Sequence, residues 1–290
     1  MNLLYLVFGE NVRIHFQAHF SILTFLRHRP AGLGTITVVT DAPDFYRHLA
    51  NHVTVLPVSA ATLQAWRGEF DFFWRIKIKA LEHVAALYPG VPLLYLDSDT
   101  FLHGSFTDLH KGLAAGYAYM HEPEGALAAL GSKTEKRMWQ QIGRKTFGGI
   151  TLHERHQMWN AGVVGIPAQG GPEAIALALR ICDDLSRAGV TPRLIEQFAL
   201  ALALQERFEL RPARPFIGHY WSNKEEWNEA IASFLLESSL KGRSVTEDVA
   251  AVAHFNFQAV PVVKKLKNTR WRLVRLVDRL FPPRQVRYVE

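Results

Sequence analysis

The chain has 290 residues, 48% of them hydrophobic and 21% charged, with one cysteine and a net charge of +6. That length suits a single α/β domain with appendages and can bury a large core. A lone Cys182 excludes an internal disulfide and a cysteine-based zinc site. The charge is uneven. From Lys264 to the end, nine Lys/Arg face two Asp/Glu (+7), whereas the preceding residues carry 24 and 25 (−1). A near-neutral body argues against nucleic acid and for a localised anionic partner at the tail. No apolar run approaches the roughly 18 residues of a spanning helix.

In chain order, Leu3 to Phe8 reads as a first strand, not a signal peptide, because no basic leader or small-residue cleavage site surrounds it. Glu10 to His28 carries apolar residues near helical spacing. Thr35 to Thr40 and Val53 to Val58 are further strands. Strand, helix, strand, short helix, strand is the pattern of a doubly wound, mostly parallel sheet. Phe73 to Tyr88 is an amphipathic helix with Ile76, Ala80, Val84 and Leu87 on one side and Arg75 and Lys79 on another. That basic face is either simply solvated or a cationic pair for a diphosphate.

Val91 to Leu96 is a buried strand that ends in Asp97-Ser98-Asp99. Ligands gather at the carboxyl ends of strands in open α/β sheets, and residues i and i+2 of an extended chain project to one side. Two carboxylates held together repel unless a cation lies between them, and oxygen ligands suit Mg²⁺ or Mn²⁺ bridging to phosphates. The plainer alternative is an acidic turn. Tyr117 to His121 is another strand, and Ala126 to Thr146 reads as a mobile stretch. Met158 to Pro167 is a buried strand entered through Asn160, with Gly162 permitting close backbone approach.

Pro172 to Ala188 and Pro192 to Gln205 are helices, the second with Glu196-Gln197 in its first turns. A helix from Glu225 to Leu240 follows His219, and Val249 to Phe257, containing His254, reads as a last buried strand.

The order of these pieces resembles the metal-dependent glycosyltransferases of the GT-A fold, particularly family 8, the glycogenin-like group. The carrying residues are Leu94 to Asp99, Trp159 to Val163, Glu196-Gln197 and His254-Phe255, with Arg75-Ile76-Lys77 ahead of the acidic motif. The resemblance covers residues 1 to 260 and implies a Rossmann-like α/β domain that binds a nucleotide sugar, usually UDP-linked. Asp97 and Asp99 would hold Mn²⁺ or Mg²⁺, with a late histidine completing the shell. His254 is preferred over His219 because it closes a strand and comes last. Asn160, Glu196 and Gln197 would hold the sugar and serve catalysis. Arg75, Lys79, Ser98 and Gly162 would border the diphosphate donor. Transfer would go with retention to a saccharide or glycolipid acceptor.

The chain departs from the family where His254-Phe255 is followed by Asn256-Phe257, with no Gly and no Lys-Pro-Trp. His219, followed by Lys224 and Trp227, is a looser echo. Phe8-Gly9-Glu10 stands where an acidic residue usually follows the first strand. Rival readings are a nucleotidyltransferase, which lacks its Gly-rich basic loop here, and a sugar-nucleotide-binding module without catalysis. The segment 261–290 forms a basic amphipathic extension. Leu266, Leu273, Val277 and Leu280 recur at helical steps opposite Lys265, Arg272, Arg275 and Arg279, near Trp271 and Tyr288. Such a helix suits an anionic membrane surface, and the expected location is cytoplasmic, peripheral on the inner membrane face.

Overall fold

Alternation along the inner strands builds two cores. In the first strand, β1 (Asn2–Leu6), Leu3 and Tyr5 face one side and Leu4 the other. The computed structural model describes residues 1–27 and 32–264 and, beyond them, positions 273, 276, 277 and 279–281. After β1 come α1 (Val12–Leu26), β2 (Ile36–Thr40), β3 (Thr54–Pro57), α2 (Ala60–Trp66), α3 (Arg75–Leu87), β4 (Leu93–Leu96), β5 (Thr100–Leu102), α4 (Phe106–Ala114), β6 (Ala118–Met120) and β7 (Pro123–Ala126). Then follow α5 (Lys133–Ile142), β8 (Thr146–Phe147), β9 (Ile150–Thr151), β10 (Gln157–Trp159), β11 (Val163–Ile166), α6 (Gly171–Arg187), α7 (Ile195–Arg207), β12 (Leu210–Pro212), β13 (Ile217–His219), α8 (Lys224–Lys241) and α9 (Val245–Val252).

The central sheet has the order β12-β6-β11-β4-β1-β2-β3. It is the mostly parallel α/β sheet expected, with β11 antiparallel to both β4 and β6. Helices α3, α6 and α7 pack together over one face, with Leu4, Leu93 and Tyr95 pointing toward them. On the other face α1 packs against α8 and α9, over Leu3, Tyr5, Leu94 and Leu96. Each such fully buried side chain contributes about 1.5–3 kcal/mol. The chain leaves β1 toward β2 on one side and returns to β4 on the other. This is a topological switch point, where a crevice opens at the strand ends.

One sequence expectation is corrected. The Val249–Phe257 segment is not a strand. Ser244 accepts from the Glu247 N–H while the Glu247 carboxylate accepts from the Ser244 N–H, a capping box that starts α9 and carries it through Val252. The stretch read as mobile contains α5, started by a second capping box at Ser132 and Glu135, and it buries Met138 and Ile142. The basic amphipathic call at the C-terminus falls largely outside the described residues. At the positions that are described, Leu273, Leu276, Val277, Leu280 and Phe281 are exposed. Among the described residues no helix is long and apolar enough to cross a membrane.

A half-buried histidine should add to the acid sensitivity of the fold. His19 on α1 packs beneath Tyr46 and its Nε2 lies 2.8 Å from the Phe45 carbonyl oxygen. Burial pulls its pKa down to about 4, against the opposing pull of that hydrogen bond. The unfolded chain therefore takes up a proton between about pH 6.5 and pH 4 that the folded chain refuses, so stability is lost as pH falls through this window. Discounted for partial exposure, the loss is about 2 kcal/mol. Urea midpoints at neutral pH and near pH 4 should differ less in His19→Gln than in the parent; an identical drop in both would assign the sensitivity elsewhere.

Candidate active site

Asp97 and Asp99 follow β4 directly, at the crevice predicted for them. Asp97 is anchored by its own N–H, which donates to the Gly162 carbonyl at 2.8 Å. The short antiparallel pair β5–β13 sets His219 opposite Thr100, and the Tyr220 N–H donates to the Asp99 carbonyl at 3.1 Å. This ladder brings His219 to the carboxylates. Asp97, Asp99 and His219 offer ligand atoms all within 4.8 Å of one another. His254 is exposed in the turn after α9 and lies outside this group, which corrects its proposed place beside the two carboxylates.

The hydrogen bonds around His219 decide its tautomer. Asn160 Oδ1 accepts from the Gly162 N–H at 3.0 Å, which identifies it as the oxygen. His219 Nδ1 lies 3.0 Å from the same oxygen, so Nδ1 carries the proton and donates. In the neutral ring Nε2 is then a lone pair, and it faces Asp99 Oδ2 at 3.4 Å. A lone pair facing a carboxylate oxygen is stabilised by positive charge between them, either a proton on Nε2 or a metal ion. A divalent ion fits that demand, and the Nδ1–Asn160 bond orients the ring as ligand histidines commonly are. Asp99 is only 3% exposed. Burial would raise its pKa, but a His219 ring that carries a proton on Nε2 in place of a metal ion, together with the Lys224 ammonium 2.9 Å from Oδ2, outweighs burial and holds it below the usual carboxylate range.

Gly162 is required by this contact. A Cβ there would collide with the His219 ring. Gly162→Ala should therefore displace the ring and weaken Mn²⁺ binding by about tenfold or more, the scale on which supporting contacts act. Titration of the metal checks it, and an unchanged affinity would show that the ring is not a ligand.

On the α3 side, Lys77 is buried. Its Nζ lies 3.4 Å from Asp97 Oδ1, 3.1 Å from Glu196 Oε1 and 3.2 Å from the Ala161 carbonyl. Burial would lower its pKa, but Asp97 and Glu196 together push it above the ordinary lysine value. Tyr95 donates its hydroxyl to Asp97 Oδ1 at 2.6 Å. Glu196 starts α7, and burial raises its carboxyl despite Lys77. The next residue, Gln197, donates to Glu124 Oε2 at 2.8 Å. Asp97, Asp99 and Glu196 thus stand against Lys77 and Lys224, a balance that leaves room for added positive charge.

Lys77, Tyr95, Asp97, Ser98, Asp99 and Lys224 border a cleft of about 330 Å³ that reaches back to the end of β1; His219 lies behind Asp99, on the wall of a neighbouring cavity. Ser98 donates to Gln17 Oε1 at 3.0 Å. Arg75 and Lys79, expected at the diphosphate, are elsewhere. Arg75 grips Asp183 on α6 through two bonds of 2.7 and 3.0 Å, and Lys79 pairs with Glu82 one turn on. The helix turns the intervening Lys77 inward instead, since residues two apart on a helix face different ways. Lys77 and Lys224 are the cations that sequence reasoning missed as site residues; the signals were the Arg75-Ile76-Lys77 run and the His219…Lys224…Trp227 echo.

No family model matches the chain, and no curated protein does. Solved structures do match. The galactosyltransferase LgtC in complex with donor and acceptor sugar analogues is similar at 13% identity over 74% of this chain and 74% of that one, with a TM-score of 0.45. An active-site mutant of LgtC matches at 13% identity over 72% and 71%, with a TM-score of 0.47. The apo form of mouse xyloside xylosyltransferase 1 matches at 12% identity over 73% and 85%, with a TM-score of 0.45. All three are glycosyltransferases by name.

Proposed function

We propose that the chain is a metal-dependent glycosyltransferase that moves a hexose from a nucleoside-diphosphate sugar, UDP-linked by the family resemblance, to a saccharide or glycolipid acceptor with retention. The observation that carries this reading is the Asp97–Asp99–His219 group at the switch-point cleft, with His219 Nε2 and Asp99 Oδ2 facing each other. Those three residues would hold Mn²⁺ or Mg²⁺. When bound, such an ion supplies a Lewis acid that neutralises charge on a diphosphate leaving group.

The remaining work falls to the chain's own side chains. Lys224, half exposed on the cleft wall, adds a second positive charge where the diphosphate develops negative charge. Lys77 is neutralised by Asp97 and Glu196, so it positions these carboxylates instead. Asn160, Glu196 and Gln197 supply amide and carboxylate groups suited to sugar hydroxyls, and the buried setting of Asn160 and Glu196 excludes water. In this reading residues 1–260 form the catalytic domain. Incubation with a panel of nucleotide sugars should release nucleoside diphosphate only when Mn²⁺ or Mg²⁺ is present. Release that persists after chelation, or none from any sugar tried, would refute the assignment.

The extension 261–290 is proposed to dock on an anionic membrane surface. Its basic residues would each contribute about 1 kcal/mol there. Removing the residues after position 264 should release the protein from anionic vesicles at low salt while sparing nucleotide binding; failure of the full chain to co-sediment would end this proposal.

A further inference from the structure

The cleft has two ends of opposite chemistry. Its polar side chains contact one another, Lys77 and Tyr95 with Asp97, Ser98 with Gln17, and Lys224 with Asp99. Its apolar ones gather where β1 ends and α3 begins: Phe8, Ile14, Phe73, Trp74 and Ile76. Three of these form a continuous aromatic wall. Phe8 and Phe73 meet edge to face with centroids 5.4 Å apart, as do Phe73 and Trp74 at 5.0 Å. Trp74 is 49% exposed. An indole left open beside a cleft, on a wall of apolar neighbours, is surface that a flat ligand can cover.

This wall carries no side chain free to read the edge of a base. Gln17, the nearest amide on α1, is engaged at both ends: Nε2 donates to Asn228 Oδ1 at 2.6 Å, and Oε1 accepts from Ser98. Asp41, at the end of β2, accepts the Gly9 N–H at 2.8 Å and does not line the cleft. After β1 comes Phe8-Gly9-Glu10, and Glu10 is exposed and does not line the cleft.

Resting on the glycosyltransferase reading for the diphosphate end, we infer that the aromatic wall holds the donor's base by stacking alone, so that the cleft takes pyrimidine and purine nucleoside diphosphates alike. Every base offers a π-face, and stacking on it tolerates sequence. Strong discrimination arises when a site must hydrogen-bond its ligand and leaves buried groups unpaired with the wrong one. This wall has no such side chain to leave unpaired. The donor's nucleotide is therefore set by what the cell supplies with the right sugar, and selectivity moves to the sugar end of the site.

The test is calorimetry on the full chain with excess Mn²⁺, using UDP, GDP, ADP and inorganic pyrophosphate against the parent and Trp74→Ala. The three nucleotides should bind within about fivefold of one another, and Trp74→Ala should weaken each by about tenfold while leaving pyrophosphate unchanged. One nucleotide binding about thirtyfold tighter than the others would overturn the inference, as would a Trp74→Ala variant that keeps all three affinities. Nucleotides that bind no tighter than pyrophosphate would also overturn it, with the metal site left standing. If neither Mn²⁺ nor pyrophosphate binds, the glycosyltransferase reading fails and takes this inference with it. Trp74→Leu, which keeps apolar bulk and removes the indole face, decides in the same way should the alanine variant fold poorly.

Discussion

Asp99→Asn should lower Mn²⁺-dependent UDP affinity by at least about 100-fold, because it removes a ligand where changes one shell further out already cost 10- to 100-fold. The substitution keeps the side chain's shape and removes its charge. Lys224 loses a partner but is half exposed and can turn to water, so the fold should hold. His219→Ala should lose metal to a similar degree, since the Nε2 that faces Asp99 disappears. His254→Ala should stay within about twofold of the parent, as an exposed residue outside the group. Binding measured with and without Mn²⁺ separates these cases. Loss in His254→Ala with retention in His219→Ala would mean that the β5–β13 ladder does not deliver the third ligand.

Lys77→Met should cost about 3–5 kcal/mol of stability at neutral pH, the range for removing one partner from a buried ionic group. Lys77 is 7% exposed and sits between two carboxylates. Methionine fills the space of the stem but leaves Glu196 buried without its cation. Burial already raises the Glu196 carboxyl above its ordinary value, and without Lys77 it should take up a proton more readily still. The sign follows: a carboxylate whose folded pKa is raised penalises the fold above its unfolded value, so the deficit of the variant should shrink as pH falls through the raised folded pKa toward 4.5, and level off below it. Urea midpoints across pH, with unchanged slope, measure this. Equal stability of variant and parent at neutral pH would show that Lys77 is not holding the two carboxylates together. In the parent, the same arrangement couples the metal side of the site, through Asp97, to the proposed sugar side, through Glu196.

Much of this was legible in the residues themselves. Period-two alternation and short apolar runs mark β1, β2 and β4, because a buried strand must put apolar side chains on both faces. The end of β4 at Asp97-Ser98-Asp99 follows from the abrupt change from apolar to acidic. Helices α3, α6, α7 and α8 stand within a few residues of where their periodicity puts them.

The sequence alone misplaced what depends on contacts between distant segments. An apolar run of eight or nine residues is compatible with strand or helix, and for Val249 to Phe257 a capping box outside the run settled its first four residues as the end of a helix. His254 thereby lost its place at a strand end. His219 gained one only because β13 pairs with β5, residues more than a hundred positions apart. Arg75 and Lys77 are equally basic in sequence; the rotation of α3 against α6 and α7 sends one to Asp183 and the other to Asp97 and Glu196. Local pattern determined which segments are strands and helices and where the first two acidic groups stand. Which cations and which histidine join them was decided by packing, because side-chain partners are set by the register of strands and the rotation of helices, and neither is written in spacing along one segment.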